Sequence, residues 1–414
     1  MRRAQGSGIY APLLIGMGGF TDGFALLLAS GAILTLVQYF HLSSEYTGMI
    51  VSAPFIGSIA GAIAFGRLGD YLGRKAVFLN VLAFFVAGSL LSALAPSPLV
   101  LLISRFMVGV GIGGDIPVSG SLLAEISSRE NRGRLIAIQS LLWGVGGVAA
   151  ALAALLLLPL GLDSWRYVLG IGAVPPLIVL ILRREIPESE VWSALRKAPQ
   201  RPQNLNRERY TKKLAFAAFS LFAWTFILAI FASYTPSFLV RSEGLSKTAA
   251  LFIGGLQWIG FIAGSGLTFK YADKAGRRAL IISSSAALAA LLALGYFAAK
   301  LSVAVFVADV SAIWIVGGVG YTISSIYSNE LFPTILRSTS SGVCFASGRL
   351  GGYVSTLIFP IALAAVGISP VLLLLTPLPL AVGLVSAASA PKSERKNLEE
   401  LERELFKLSD GLSA

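Results

Sequence analysis

The sequence predicts an all-α integral membrane protein of twelve transmembrane helices in two pseudo-symmetric six-helix bundles. Three observations carry this. The 414-residue chain is 55% hydrophobic and only 13% charged, with a mean hydropathy of +0.78, about half the charge fraction of a soluble protein. About a dozen apolar stretches reach the ~20 residues that cross a ~30 Å hydrocarbon core. Short polar motifs of the first half return in the second.

In chain order the spans are predicted at 10–38, 46–66, 76–95, 99–126, 134–161, 165–184, 214–240, 248–270, 279–299, 302–328, 338–365 and 369–390. The first follows "MRRAQGSG"; its apolar run is too long for a signal peptide and contains Asp22, so it is read as a helix. The second and third flank "GRLGDYLGRK", and the fourth carries Arg105 and Asp115 and ends at Glu125. Residues 185–213, polar and basic with Pro187, Pro199 and Pro202, are read as a linker between bundles at 1–184 and 214–390. In the tail, 391–414, Leu398, Leu401, Leu405 and Leu408 share one helical face, which is expected to lie along the cytoplasmic surface.

Of the 33 Lys and Arg residues, 27 fall in the N-terminus, the even-numbered turns and the tail, four in the odd-numbered turns, and Arg105 and Arg349 within spans. Such asymmetry places both termini in the cytoplasm, with the chain multi-pass in the plasma membrane. The net charge of +12 follows from it. No stacking or groove-reading element accompanies that charge, so no nucleic-acid partner is read. A single cysteine, Cys344, and a single histidine, His41, exclude an intramolecular disulfide and a histidine relay. No metal site and no cofactor are predicted. No ATP-binding loop or nucleophile–base–acid set occurs, so an enzyme and an ATP-driven pump are rejected. The partners read are protons, the lipid bilayer and a small-molecule substrate, and a monomer is expected.

The repeats are specific. "GRLGDYLGRKAV" is echoed by "KYADKAGRRAL", aligning Asp70 with Asp273 and Arg74 with Arg277. "AEISSRENRGR" is echoed by "NELFPTILRST", aligning Glu125 with Glu330 and Arg132 with Arg337. Parallel repeats of this kind place a solute site near the midplane between the halves, open to each side in turn. "GRLGDYLGRK" resembles the signature loop of the major facilitator superfamily. "RFMVGVGIGG", "IPESEVW" and "ELFPTILRS" narrow the resemblance to the branch of sugar porters, phosphate:proton symporters, metabolite:proton symporters and synaptic-vesicle glycoprotein relatives. That resemblance implies a cytoplasmic gate made by the eight aligned charges. Asp70 can accept from backbone N–H groups at a neighbouring helix N-terminus.

Ionisable residues inside the membrane are functional candidates by default. At ~1.5 Å rise per residue, Asp22 and Arg105 reach similar depths, so a pair between the first and fourth spans is predicted. Asp22 then serves as proton carrier, or the two form a static polar clamp. Asp309 and Arg349 also agree in depth; a direct pair and a lone Arg349 facing the cavity both fit. Asp115 faces either the substrate cavity or a neighbouring helix. Gln139, Trp143, Trp224, Gln257, Trp258 and Tyr321 either line the cavity or pack between helices.

Within the branch, "GMGGFTDGF", "GIGGDIPVS" and "LRSTSSGVCFASGRLGG" resemble the phosphate:proton symporters, with departures at Ile116, Ala25 and Leu228. The function this implies is proton-coupled symport of phosphate or an organic acid. A sugar or neutral-metabolite symporter, a proton-coupled exporter and a non-transporting scaffold are the alternatives.

Overall fold

The computed structural model describes residues 10–184, 186–197, 205–241, 244–393 and 396–405. Spans one to five are α1 (Tyr10–Phe40), α2 (Ser44–Leu72), α3 (Arg74–Ala93), α4 (Pro98–Ile126) and α5 (Arg132–Leu157). Span six is broken into α6 (Ser164–Gly170) and α7 (Val174–Arg183). A short α8 (Glu190–Lys197) lies in the linker. Spans seven to eleven are α9 (Arg207–Arg241), α10 (Lys247–Ala275), α11 (Arg277–Leu301), α12 (Val303–Glu330) and α13 (Arg337–Val366). Span twelve is broken into α14 (Ile368–Leu375) and α15 (Pro377–Ser389), and the tail forms α16 (Leu398–Arg403). The two breaks are equivalent. Pro175 and Pro176 in one half, and Pro377 and Pro379 in the other, remove N–H donors and crowd the preceding turn.

Eleven helical stretches among the described residues are long and apolar enough to cross a membrane, because Arg132–Arg183 counts as one of 52 residues. It holds two passes, reversing at Leu158–Asp163, where Gly161 takes φ 82°. Its far end returns to the face where α3 begins, since Lys75 donates to the Arg184 carbonyl at 2.8 Å. The seventh helix starts at Arg207, so residues 207–213 of the expected linker are helical. Asn206 Oδ1 starts it by accepting from the Arg209 N–H at 3.1 Å, and the Lys and Arg residues that follow are good helix formers outside the apolar run.

The repeat is visible in the caps. Ser43, Ser97, Ser246 and Ser302 cap spans two, four, eight and ten through their side-chain oxygens. Gly73 (φ 106°) and Gly276 (φ 88°) break the chain between spans two and three and between eight and nine, a conformation glycine adopts without steric cost. α1 packs on α5 and α2 on α4; α9 packs on α13 and α10 on α12; the halves meet along α2–α13 and α5–α10. Close approach rests on small residues: a Cβ on Gly113 would strike the Ser58 carbonyl, and one on Gly342 would strike that of Ala62 across the halves.

Candidate functional site

At the basic face the eight charges cluster, and several of them bond from one half to the other. The Asp70 carboxylate accepts from the Ser338 and Thr339 N–H groups at 3.1 and 2.7 Å, capping the N-terminus of α13 in the opposite half. Asp273 mirrors it, accepting from Gly133 and Arg134 N–H at 3.0 and 2.8 Å at the start of α5. Each carboxylate thus meets the positive end of a helix from the other half, as expected for Asp70. Glu125 lies between Arg74 and Arg337, 2.9 Å from each, with all three side chains excluded from solvent. Arg74 also donates to the Thr334 carbonyl across the halves at 2.7 Å. Glu330 accepts from Arg277 at 3.1 Å and from the Ser393 hydroxyl. The mirror is incomplete at Arg132, which donates to the Lys396 carbonyl in the tail at 3.0 Å.

Several groups in this network lay outside the sequence reading. Glu188 of "IPESEVW" caps α3, accepting from Arg74 and Lys75 N–H at 2.9 and 3.0 Å. In the tail, Glu402 accepts from Thr334 N and Oγ1, both at 2.7 Å, and from Arg337 at 2.9 Å. Leu401 and Leu405 are buried beneath it and Leu398 is half-buried; Leu408, the fourth leucine of the expected face, lies outside the described residues. At Glu404, burial pushes the carboxyl up, but hydrogen bonds from Lys396 and Lys213 outweigh this and hold it below its ordinary range.

Deeper in, Asp22 on α1 pairs with Arg349 on α13 at 2.5 Å, a bond between the halves. This corrects two expectations. Arg105 is not the partner of Asp22: its Nη2 donates to the Ala25 carbonyl at 3.3 Å, and no carboxylate is bonded to it among the described residues. Arg349 is likewise not paired with Asp309, whose Oδ2 faces Gly295 on α11. The reason is azimuth: depth along a helix says nothing about which neighbour a side chain faces. Asp115 is also redirected. It bonds Arg183 at 2.5 Å, both side chains are buried, and Arg183 further donates to the Leu14 and Ile15 carbonyls of α1. Asp115 therefore faces a helix junction rather than the interface of the halves. Arg183 sits at the end of span six and reads in sequence as one more linker cation.

An aromatic cluster adjoins the Asp22–Arg349 pair. Trp143 on α5 stacks on Tyr321 of α12, with centroids 5.6 Å apart and planes 20° apart. It meets Trp258 and Phe261 of α10 edge-on at 4.9 and 5.1 Å. The Trp143 backbone lies against Gly23, next to Asp22, and Trp143 Nε1 is buried without a hydrogen-bond partner. Trp224 packs against Gly320 of α12. Gln139 donates to the Ile116 carbonyl at 3.2 Å. Gln139 Oε1, Gln257 Nε2 and Asp22 Oδ1 are buried without a hydrogen-bond partner. No group of three or more potential metal ligands occurs among the described residues.

Residues 15–356 match the family model described as Major Facilitator Superfamily. A chain of Escherichia coli K12 named as the metabolite transport protein YaaU is 31% identical, covering 94% of this chain and 93% of its own. The niacin transporter NiaP of Acinetobacter baylyi is 28% identical, covering 94% and 95%. Among solved structures, the proton:xylose symporter XylE bound to 6-bromo-6-deoxy-D-glucose superposes with a TM-score of 0.85 at 19% identity, covering 96% and 99%.

Proposed function

Because this chain belongs to the Major Facilitator Superfamily and is a membrane transporter of that fold, we propose that it carries a small organic anion together with protons by alternating access. The observation that carries this reading is the buried Asp22–Arg349 pair, which links the halves beneath a gate latched at the basic face. Rocking the halves apart separates Asp22 from Arg349. A carboxylate deprived of its guanidinium in a dry site favours the protonated form. Arg105 stays with α1 on either side of that step, because its bond to Ala25 lies within one half. Asp70, Arg74, Glu125, Arg132, Asp273, Arg277, Glu330 and Arg337 act as the gate on the face read as cytoplasmic. The likeness to metabolite and niacin transporters supports an organic solute. Gln139 and Gln257, each with a buried unpartnered atom, favour a neutral hydroxylated metabolite as the second reading.

The test is uptake by proteoliposomes holding the full chain under an imposed inside-alkaline gradient, for organic anions, phosphate and sugars side by side. Gradient-driven accumulation of one solute, abolished by a protonophore and by Asp22→Asn, is expected. Undiminished accumulation by Asp22→Asn would refute Asp22 as carrier.

A further inference from the structure

We propose that a cavity at the basic face binds the phosphate group of an anionic phospholipid between the two halves and thereby favours the state in which that face is closed. The proposal concerns the lipid around the protein and is independent of the solute carried.

The cavity, of about 890 Å³, lies between the turn that leads into α5 in the first half and the end of α10 in the second. Small-ligand sites span roughly 300–1,000 Å³. Its two walls are fastened by Asp273, which accepts from the Gly133 and Arg134 N–H groups. Four cations line it: Arg129 and Arg134 from the first half, Lys270 and Lys274 from the second. Both carboxylates of the lining are engaged, Glu130 by Arg129 at 2.6 Å and Asp273 by Arg277 at 2.9 Å. Among the described residues no carboxylate pairs with Arg134, Lys270 or Lys274, so three cations face the cavity without a counter-charge. The Arg134 guanidinium lies 4.5 Å from the ring centroid of Phe269 in the other half. Stacking on a ring face leaves the N–H groups at the edge of the guanidinium to donate, and that planar fork matches a pair of phosphate oxygens.

Position decides the source of the phosphate. The predicted eighth span ends at Lys270, so the cations stand at the level of the lipid headgroups, where basic pockets between membrane helices take anionic lipids. The lining also includes Phe269 and Gly266, and a Cβ on Gly266 would meet nothing within 4 Å, which leaves an open notch beside the ring. Leu267 and Tyr271, 47% and 39% exposed, continue along α10 as apolar surface for acyl chains. A free phosphate would use the cations and leave this apolar ground unused. Because the cations come from both halves, rocking that opens the basic face carries Lys270 and Lys274 away from Arg129 and Arg134. A headgroup held by all four therefore binds the closed face better, and a ligand shifts an equilibrium toward the state it binds better.

The purified full-length chain, stripped of lipid in detergent, is titrated with phosphatidylglycerol and phosphatidylcholine, and bound lipid is counted by native mass spectrometry. Glycerol 3-phosphate and inorganic phosphate are added as competitors. Phosphatidylglycerol is expected to bind the more tightly, and Lys270→Gln with Lys274→Gln to lower its affinity on the order of tenfold. Lys197→Gln with Lys212→Gln removes as much charge from exposed positions outside the cavity and is expected to have little effect. Gly266→Leu keeps every charge, fills the notch and is expected to weaken binding, a loss that reduced basic charge cannot mimic. In nanodiscs, maleimide labelling of Ser338→Cys, buried where α13 meets α2, is followed in a chain whose Cys344 is replaced by Ala. Labelling is expected to slow when phosphatidylglycerol is added to phosphatidylcholine, and not to slow in the double lysine variant. Equal affinity for the two lipids, equal losses in the two double variants, or full binding by Gly266→Leu overturns the site. Displacement of phosphatidylglycerol by either soluble phosphate at matching concentration overturns the lipid as its source. Phosphatidylglycerol that binds without slowing the labelling overturns its preference for the closed face.

Discussion

Glu125→Gln isolates the latch between the halves. In the native chain the Glu125 carboxylate accepts from Arg74 of its own half and from Arg337 of the other, each at 2.9 Å and each buried. The contact with Arg74 persists however the halves move, so its loss weakens both states alike. The contact with Arg337 exists only while the basic face is closed. A hydrogen bond to a charged group contributes about 1.5–3 kcal/mol, and 1.4 kcal/mol is about tenfold in an equilibrium. Removing the charge is therefore expected to raise the population open at the basic face by on the order of ten- to a hundredfold. Ser338 reports this directly, because its side chain is buried where α13 meets Gly69 of α2. With the native Cys344 replaced by Ala, Ser338→Cys gives a single thiol, and its rate of modification by a maleimide measures opening. The rate is expected to rise about tenfold or more in Glu125→Gln. Glu330→Gln is the control, since the bonds of Glu330 run to Arg277 and Ser393 and not to the first half, and its effect is expected to be smaller. Equal rates in Glu125→Gln and the parent, or a larger effect of Glu330→Gln, would refute the latch.

Two further outcomes follow from burial and charge. Asp115→Asn leaves Arg183 buried without its counter-charge, which costs roughly 3–5 kcal/mol; the double replacement Asp115→Leu with Arg183→Met is expected to recover most of that in a thermal-unfolding assay in detergent, and failure to recover assigns the pair a role beyond stability. The Glu404 carboxyl is held below its ordinary range, so its contribution to tail docking is present above the ordinary glutamate value of about 4.3 and is lost as pH falls through the lowered one. Because Glu404 is more than a third exposed, the effect is small, and amide exchange at Leu401 and Leu405, corrected for intrinsic rates, is expected to quicken modestly at acid pH and not at alkaline pH.

What was legible in the sequence, and what was not, divides along a physical line. Hydropathy marked the spans because a membrane helix must satisfy its backbone within itself, and the aligned pairs Asp70/Asp273 and Glu125/Glu330 exposed the repeat. That Asp70 could accept from orphan N–H groups at a neighbouring helix N-terminus was legible from chemistry, but that the helix is α13 of the other half was not. The pairing of Asp22 did not, although a signal was present. Asp22 lies roughly 13 residues, and Arg349 roughly 12, from the same end of their helices, so their depths agree as well as those of Asp22 and Arg105. Depth could not choose between them, because the choice depends on which helix faces which across the interface of the halves, a property of packing that hydrophobic periodicity does not encode when a helix is apolar on every side. Asp115 and Arg183 show the same blindness from the other direction, since a long guanidinium at a span end can reach inward to a charge a turn or more away. The difference matters for mechanism. A pair within one half, such as Asp22 with Arg105, would be indifferent to rocking and could couple a proton to transport only indirectly. A pair between the halves lies across the surface that rocking would part, so on the proposed carrier reading the same bond that joins the halves would also decide when its carboxylate can hold a proton.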